Sequence, residues 1–183
     1  MNNDPPTLAA KLGTTTHLSP LLRKARKLGL DAEGLELLAV QRGCDYYHDG
    51  RPLPETVVTQ RQFSNEELAI ALLNPALRYS PQTLRLGAAM LGAPGNSPEL
   101  IAQLAREERC ESVVRYVADA GRRFEPDNEF WAALTQLLPA GSAPKSSVVP
   151  HPTRFVAMTG FTRRGVETVV QWIRPGPVSL QNG

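Results

Sequence analysis

The chain is poor in the residues from which chemistry is most often built. It has two cysteines, Cys44 and Cys110, and three histidines, His17, His48 and His151, among 183 residues. Two thiols make no disulfide framework, and each is expected to behave as a small buried hydrophobe. No apolar run approaches the roughly 18 residues of a membrane-spanning helix. The start, Met1-Asn2-Asn3-Asp4-Pro5-Pro6, has neither the charged nor the apolar part of a secretory signal. A cytoplasmic protein without a membrane span is therefore expected. Catalytic motifs are missing as well: no glycine-rich turn presents a nucleophile and no oxyanion donor is evident. No cofactor is expected.

What is present reads as a globular helical protein. Hydrophobic residues make up 42% of the chain and charged ones 21%, which excludes disorder throughout. Charge is unevenly placed. Residues 1–60 hold 7 basic and 7 acidic side chains, residues 61–142 hold 8 and 10, and residues 143–183 hold 5 and 1, giving 0, −2 and +4. The excess positive charge lies in the tail, and the slightly acidic middle argues against a broad nucleic-acid face there.

The stretch from Ser64 to Pro139 organises the fold. Glu67 with Leu68 and Leu72, Glu99 with Leu100 and Leu104, and Glu129 with Phe130 and Leu134 share one pattern, the glutamates standing 32 and 30 residues apart. Each apolar pair lies on one helix face, and each glutamate in a first turn, where its charge suits the dipole. Ser64 with Glu67 fits a capping box, and Ser80-Pro81 and Ser97-Pro98 each place an N-cap before a first-turn proline. Between them, Leu84, Ala88 and Leu91, then Val113, Val114, Val117 and Ala118, form second stripes, with Gly92 and Gly121 expected to end those helices. A period of 30 to 34 residues made of two short helices is the signature of a stacked helical repeat, although the motif patterns of known arrays with that period are missing. The expectation is an all-α fold of antiparallel helix pairs, a short solenoid-like stack with units starting near 31, 64, 97 and 127, or else an irregular helical bundle whose offsets near 30 are chance.

Before this stretch, residues 1–18 form a polar leader with a short helix around Leu8 to Leu12. Ser19-Pro20 opens a helix ending at Gly29. Leu21, Leu22, Ala25 and Leu28 gather on one side, and Arg23, Lys24, Arg26 and Lys27 on the other. These four cations, together with Arg163 and Arg164, are candidates for phosphate, an anionic surface or an acidic partner; the alternative is a solvated face near a helix C-terminus. Asp31 caps the following helix, closed by Gly43. A DNA-reading helix-turn-helix is disfavoured there, because Asp31, Glu33 and Glu36 oppose a single Arg42. A second helix from Pro54 to about Gln62 would complete this unit, with Val57 and Val58 inward.

The loop from Cys44 to Asp49 is chemically the most varied. Cys44 and His48, with Asp45 or Asp49, can be assembled into a metal site or a thiol nucleophile with its base, though one Cys-x3-His pair lacks the further ligands either needs. Its tyrosines, Tyr46 and Tyr47, are candidate partner contacts, as are Phe130, Trp131, Phe161 and Trp172. Residues 139–153, rich in Pro, Gly and Ser, read as a linker before which the fold is expected to end. The basic tail, 154–183, is open between two forms. Val156, Val166, Thr168, Val169 and Val170 suit a hairpin, while Val166, Val169, Val170 and Ile173 also keep helical spacing. The function expected is a protein-binding adaptor or assembly subunit, with the tail either a docking segment, folding back on its own helices or onto another molecule, or a packed C-terminal cap. Nucleic-acid or anionic-surface binding is the alternative, and an enzyme or metal site at Cys44 to Asp49 the third.

Overall fold

A computed structural model of the chain describes residues 5–47, 62–145, 147–159 and 169–176. Among them the α-helices are α1 (Leu8–Leu12), α2 (Pro20–Lys27), α3 (Ala32–Gln41), α4 (Asn65–Leu73), α5 (Pro81–Leu91), α6 (Pro98–Glu107), α7 (Glu111–Phe124) and α8 (Glu129–Leu137). Two short 3-10 turns, Asp45–Tyr47 and Pro152–Phe155, and two strands, β1 (Val156–Thr159) and β2 (Val169–Trp172), complete the order. No helix among the described residues is long and apolar enough to cross a membrane.

Helix starts follow their local chemistry. Ser19 accepts from Leu22 N–H, Asp31 from Gly34, Ser97 from Leu100 and Asn128 from Phe130. Ser64 and Glu67 close a reciprocal capping box. Gly29 and Gly43 end α2 and α3 with φ of 74° and 100°, a conformation that favours glycine.

α4 is the centre. Leu68, Ala69, Ile70, Ala71, Leu72 and Leu73 are all buried, as befits a helix that is apolar all round. It touches α2, α3, α5, α6 and α7. α5 comes close because it presents Gly87, where a Cβ would lie 2.8 Å from Leu73 Cγ. α8 packs on α6 and α7.

The similarity of the three repeated segments does not extend to burial. Leu68, Leu72 and Leu134 are buried, whereas Leu100 is 37% exposed and α6 turns Ile101, Ala102 and Ala105 inward instead. The inward face is chosen by what α6 packs against, which is α4, α7 and α8. Residues 54–61, expected as a further helix, lie outside the described residues.

Several expectations are corrected. α7 does not stop at Gly121 but runs on to Phe124, because the missing side chain seats Trp131, whose Cε3 lies 2.7 Å from a Cβ placed there. α5 ends at Gly92 as expected, but with φ −81°, so this glycine serves packing rather than a left-handed turn. The architecture is mostly helical, as expected, with one small two-stranded sheet in the tail. β1 and β2 pair antiparallel, Val156 opposite Trp172 and Thr159 opposite Val169, which decides for the hairpin over the helical reading of 169–172. Beyond residues 139–143, Val149, Phe155, Val156, Trp172 and Ile173 belong to the same core as the helices.

Candidate functional site

The most densely organised polar site lies where the C-terminal arm meets the helices. Past the exposed residues 139–143, the chain is drawn back by tyrosines. Tyr79 Oη donates to Val148 O at 2.6 Å, Tyr116 Oη to Pro150 O at 3.0 Å, and Tyr47 Oη to Arg154 O at 2.8 Å. These bonds set Phe155 and the hairpin against α5 and α7.

Trp172 is the anchor. Its indole Nε1 donates to Ala88 O at 3.1 Å and its ring meets Trp131 at 4.7 Å and Phe155 at 5.6 Å between centroids. Phe130 edges Trp131 at 4.8 Å and Tyr116 edges Phe155 at 6.4 Å, so five aromatic rings run in series across the junction. Such edge and tilted contacts favour the ring quadrupoles beyond simple area burial. Gly92 supplies the seat: a Cβ there would lie 2.6 Å from Trp172 Cδ1.

Arg174 is the lock. Its Nη1 donates to Glu125 Oε1 at 2.7 Å, its Nη2 to Glu125 Oε2, and its Nε to Gly92 O at 2.8 Å. Glu125 also accepts from Trp131 Nε1 at 2.9 Å, Asn128 Nδ2 at 3.0 Å and Trp172 N–H at 3.3 Å. Burial by itself pushes this carboxyl up; the bonds from Arg174, Trp131 and Asn128 and the Arg174 charge outweigh it and hold it at about 2. Beyond Arg174, Gly176 N–H donates to Gly43 O at 2.9 Å. Gly43 has φ 100°, and a Cβ on it would lie 2.9 Å from Gly176 N. Next to the lock opens a cleft of about 730 Å³ walled by Phe124, Phe130, Pro94 and Asn96, with Arg174 at its edge.

The sequence-derived site residues scatter. Trp131 and Trp172 meet inside the core at 0% and 1% exposure. Phe130 is half-buried beside them. Tyr47 is held by Arg154 O and carries the Arg85 guanidinium over its ring, while Tyr46 remains 63% exposed. Phe161, Arg163 and Arg164 lie outside the described residues. On α2, Arg23, Arg26 and Lys27 face solvent, whereas Lys24 is committed to Glu67 at 2.8 Å and stands 4.7 Å over the Phe63 ring.

The Cys44 loop supplies no reactive thiol. Cys44 is buried with Sγ 3.4 Å from Met90 Sδ, and burial followed by the nearby Asp45 charge pushes its thiol up to about 12, so it stays protonated at neutral pH. Cys110 is fully buried and pushed up as well. His48 and Asp49 lie outside the described residues, and among those described no three His, Cys, Asp or Glu side chains gather to hold a metal.

Two polar residues decisive for the structure carried no signal of their own. Glu125 and Arg174 are 49 positions apart; the nearest clue was an arginine two residues after a tail tryptophan. A second buried cluster also escaped notice. Glu108, 1% exposed, accepts from Ser19 Oγ, from Asn74 Nδ2 at 2.8 Å and from Leu21 N–H at 2.9 Å. It ties α2, α4 and α6 together with every partner satisfied, which makes it a structural junction.

Compared with protein-family models, curated proteins and solved structures, the chain has no match.

Proposed function

We propose that the protein is a non-enzymatic interaction module, an adaptor or assembly subunit, in which paired helices form a socket for an extended chain segment. The observation that carries this reading is the way the arm lies on the helices. Trp172 and Gly176 spend their backbone N–H groups on Glu125 and Gly43, while Trp172 and Arg174 supply an aromatic anchor and a bidentate charge. Backbone pairing plus alternate side-chain anchors is the general grammar of segment recognition, and Trp and Arg are its commonest high-energy contacts. Two unpaired, buried thiols suit a reducing compartment such as the cytoplasm.

A second reading, binding of nucleic acid or another anionic surface, is supported by Arg23, Arg26 and Lys27, which form no ion pair among the described residues and share one face of α2.

Capture from cell extract at low and high salt separates the two, using wild type, Arg174→Ala and Arg23→Glu/Lys27→Glu chains. The module reading expects a protein partner retained at high salt, captured more strongly by Arg174→Ala, whose socket is partly vacated, and unaffected by the charge reversal on α2. Capture of nucleic acid alone, released by salt and abolished by that reversal, overturns it.

A further inference from the structure

The arm and its socket are joined by very little. Residues 139–143, Pro-Ala-Gly-Ser-Ala, are all exposed and make no hydrogen bond among the described residues. On one side, Leu138 is buried and its carbonyl is held by Arg115 at 2.9 Å. On the other, Val149 is buried and Val148 and Pro150 are held by Tyr79 and Tyr116. The helices and the arm, which share one core, are thus connected along the chain by five solvent-exposed residues, while the contacts that fasten them are made by side chains far apart in sequence. Nothing in those contacts specifies that arm and socket belong to one molecule.

Resting on the reading of the protein as an assembly subunit, we propose that its partner is a second copy of this chain and that the two trade C-terminal arms. Each arm, whose described parts are 147–159 and 169–176, leaves its own helices at residues 139–143. It then places Trp172 against Gly92, Ala88 and Trp131 of the other copy and Arg174 on that copy's Glu125. The exchange is reciprocal, so it closes on a two-fold axis with both sockets filled. The occupant is fixed by chemistry: the socket is cut for a tryptophan followed two residues later by an arginine, and a second copy carries that segment. Closed monomer and exchanged dimer contain the same contacts, so their balance is set by protein concentration against the effective concentration that the linker imposes in cis.

Charge reversal provides the test with the full chain. Arg174→Glu and Glu125→Arg each place like charges in their own junction. Mixed, they form two complementary junctions only if the arms cross between molecules, so light scattering and native mass spectrometry should show a one-to-one heterodimer at twice 20.0 kDa. At least about tenfold more dimer is expected in the mixture than in either variant alone. The chain carrying both reversals restores the pair in cis and should return to the wild-type balance. A mixture that stays monomeric, while the doubly reversed chain folds as wild type does, overturns the proposal. If the charge variants fail to fold, wild type and Trp172→Ala decide: a wild-type dimer that grows with concentration and is lost in folded Trp172→Ala supports exchange, and a wild type that stays monomeric up to about 1 mM overturns it. Loss of exchange alongside continued salt-resistant capture of a different protein by the wild type would sink the second copy as partner and leave the interaction-module reading standing.

Discussion

A Cβ added to Gly121 would lie 2.7 Å from Cε3 of Trp131. This glycine sits inside α7, and the indole of α8 lies flat on the bare backbone. The same device recurs at Gly92 under Trp172, so the two tryptophans that meet at the arm junction each rest on a glycine.

Gly121→Ala should therefore destabilise the fold by about 1 to 3 kcal/mol through overpacking. At an exposed interior helix position the same change would stabilise by up to about 1 kcal/mol. Urea unfolding gives the sign, and near-UV circular dichroism should show the altered environment of Trp131.

Acid should loosen the arm over a defined range. Glu125 titrates at about 2 in the folded chain against an ordinary 4.5, so folding favours its ionised form. The stabilisation is complete above about 4.5 and is lost as pH falls towards 2, amounting to about 1 to 3 kcal/mol. Unfolding measured between those limits should show this slope in the wild type, and Glu125→Gln should flatten it while lowering stability at neutral pH.

At the buried junction of α2, α4 and α6, Glu108→Ala would leave the Ser19 hydroxyl proton, one Asn74 Nδ2 hydrogen and Leu21 N–H without their acceptor, although Asn74 Nδ2 still donates to Ser19 Oγ at 3.1 Å, and should cost about 3 kcal/mol. Ser19→Ala removes a helix cap and one of those donors and should cost about 1 kcal/mol. Because they share one network, the double variant should be less destabilised than the two losses added together, as a double-mutant cycle by thermal unfolding would show.

The four cations of α2 should divide. Lys24→Ala removes an ion pair with Glu67 and a cation over Phe63 and should cost up to about 1 kcal/mol. Arg23→Ala, Arg26→Ala and Lys27→Ala should each stay within about 0.5 kcal/mol. Equal effects at all four positions would contradict the pairing.

Both thiols should resist modification in the native protein. With Cys44 held at about 12 by burial and Cys110 fully enclosed, a chromogenic disulfide reagent at neutral pH should react with neither until denaturant is added, when two thiols per chain appear. Rapid reaction of one thiol in the folded chain would count against the buried placement of Cys44.

What was written locally in the chain emerged as expected: Ser19, Asp31, Ser64, Ser80 and Ser97 cap the helices that follow them, and the α1 turn from Leu8 to Leu12 is present. Those features depend on residues within one helical turn, so a single sequence contains all the information they need. The face a helix buries is already less local. Leu100 and Leu104 match Leu68 and Leu72 by spacing, yet Leu100 is exposed, because burial follows the neighbours and α6 packs on α4, α7 and α8 through Ile101, Ala102 and Ala105 instead.

The arm junction is decided by tertiary structure alone. By composition Gly121 resembles a helix stop and 139–153 a boundary, and 169–173 satisfies both strand and helix periods. Only when Trp131 and Trp172 come within 4.7 Å of each other does each choice resolve. Glycine becomes a seat, the chain beyond 139–143 joins the core, and β2 is held extended by Glu125 and β1. The sequence by itself determined the number of chemically reactive groups, the helical character and the caps. The socket depends on Ala88, Gly92, Glu125 and Trp131 from three separate places in the chain, and long-range contacts of that kind leave no period or motif for a local reading to find.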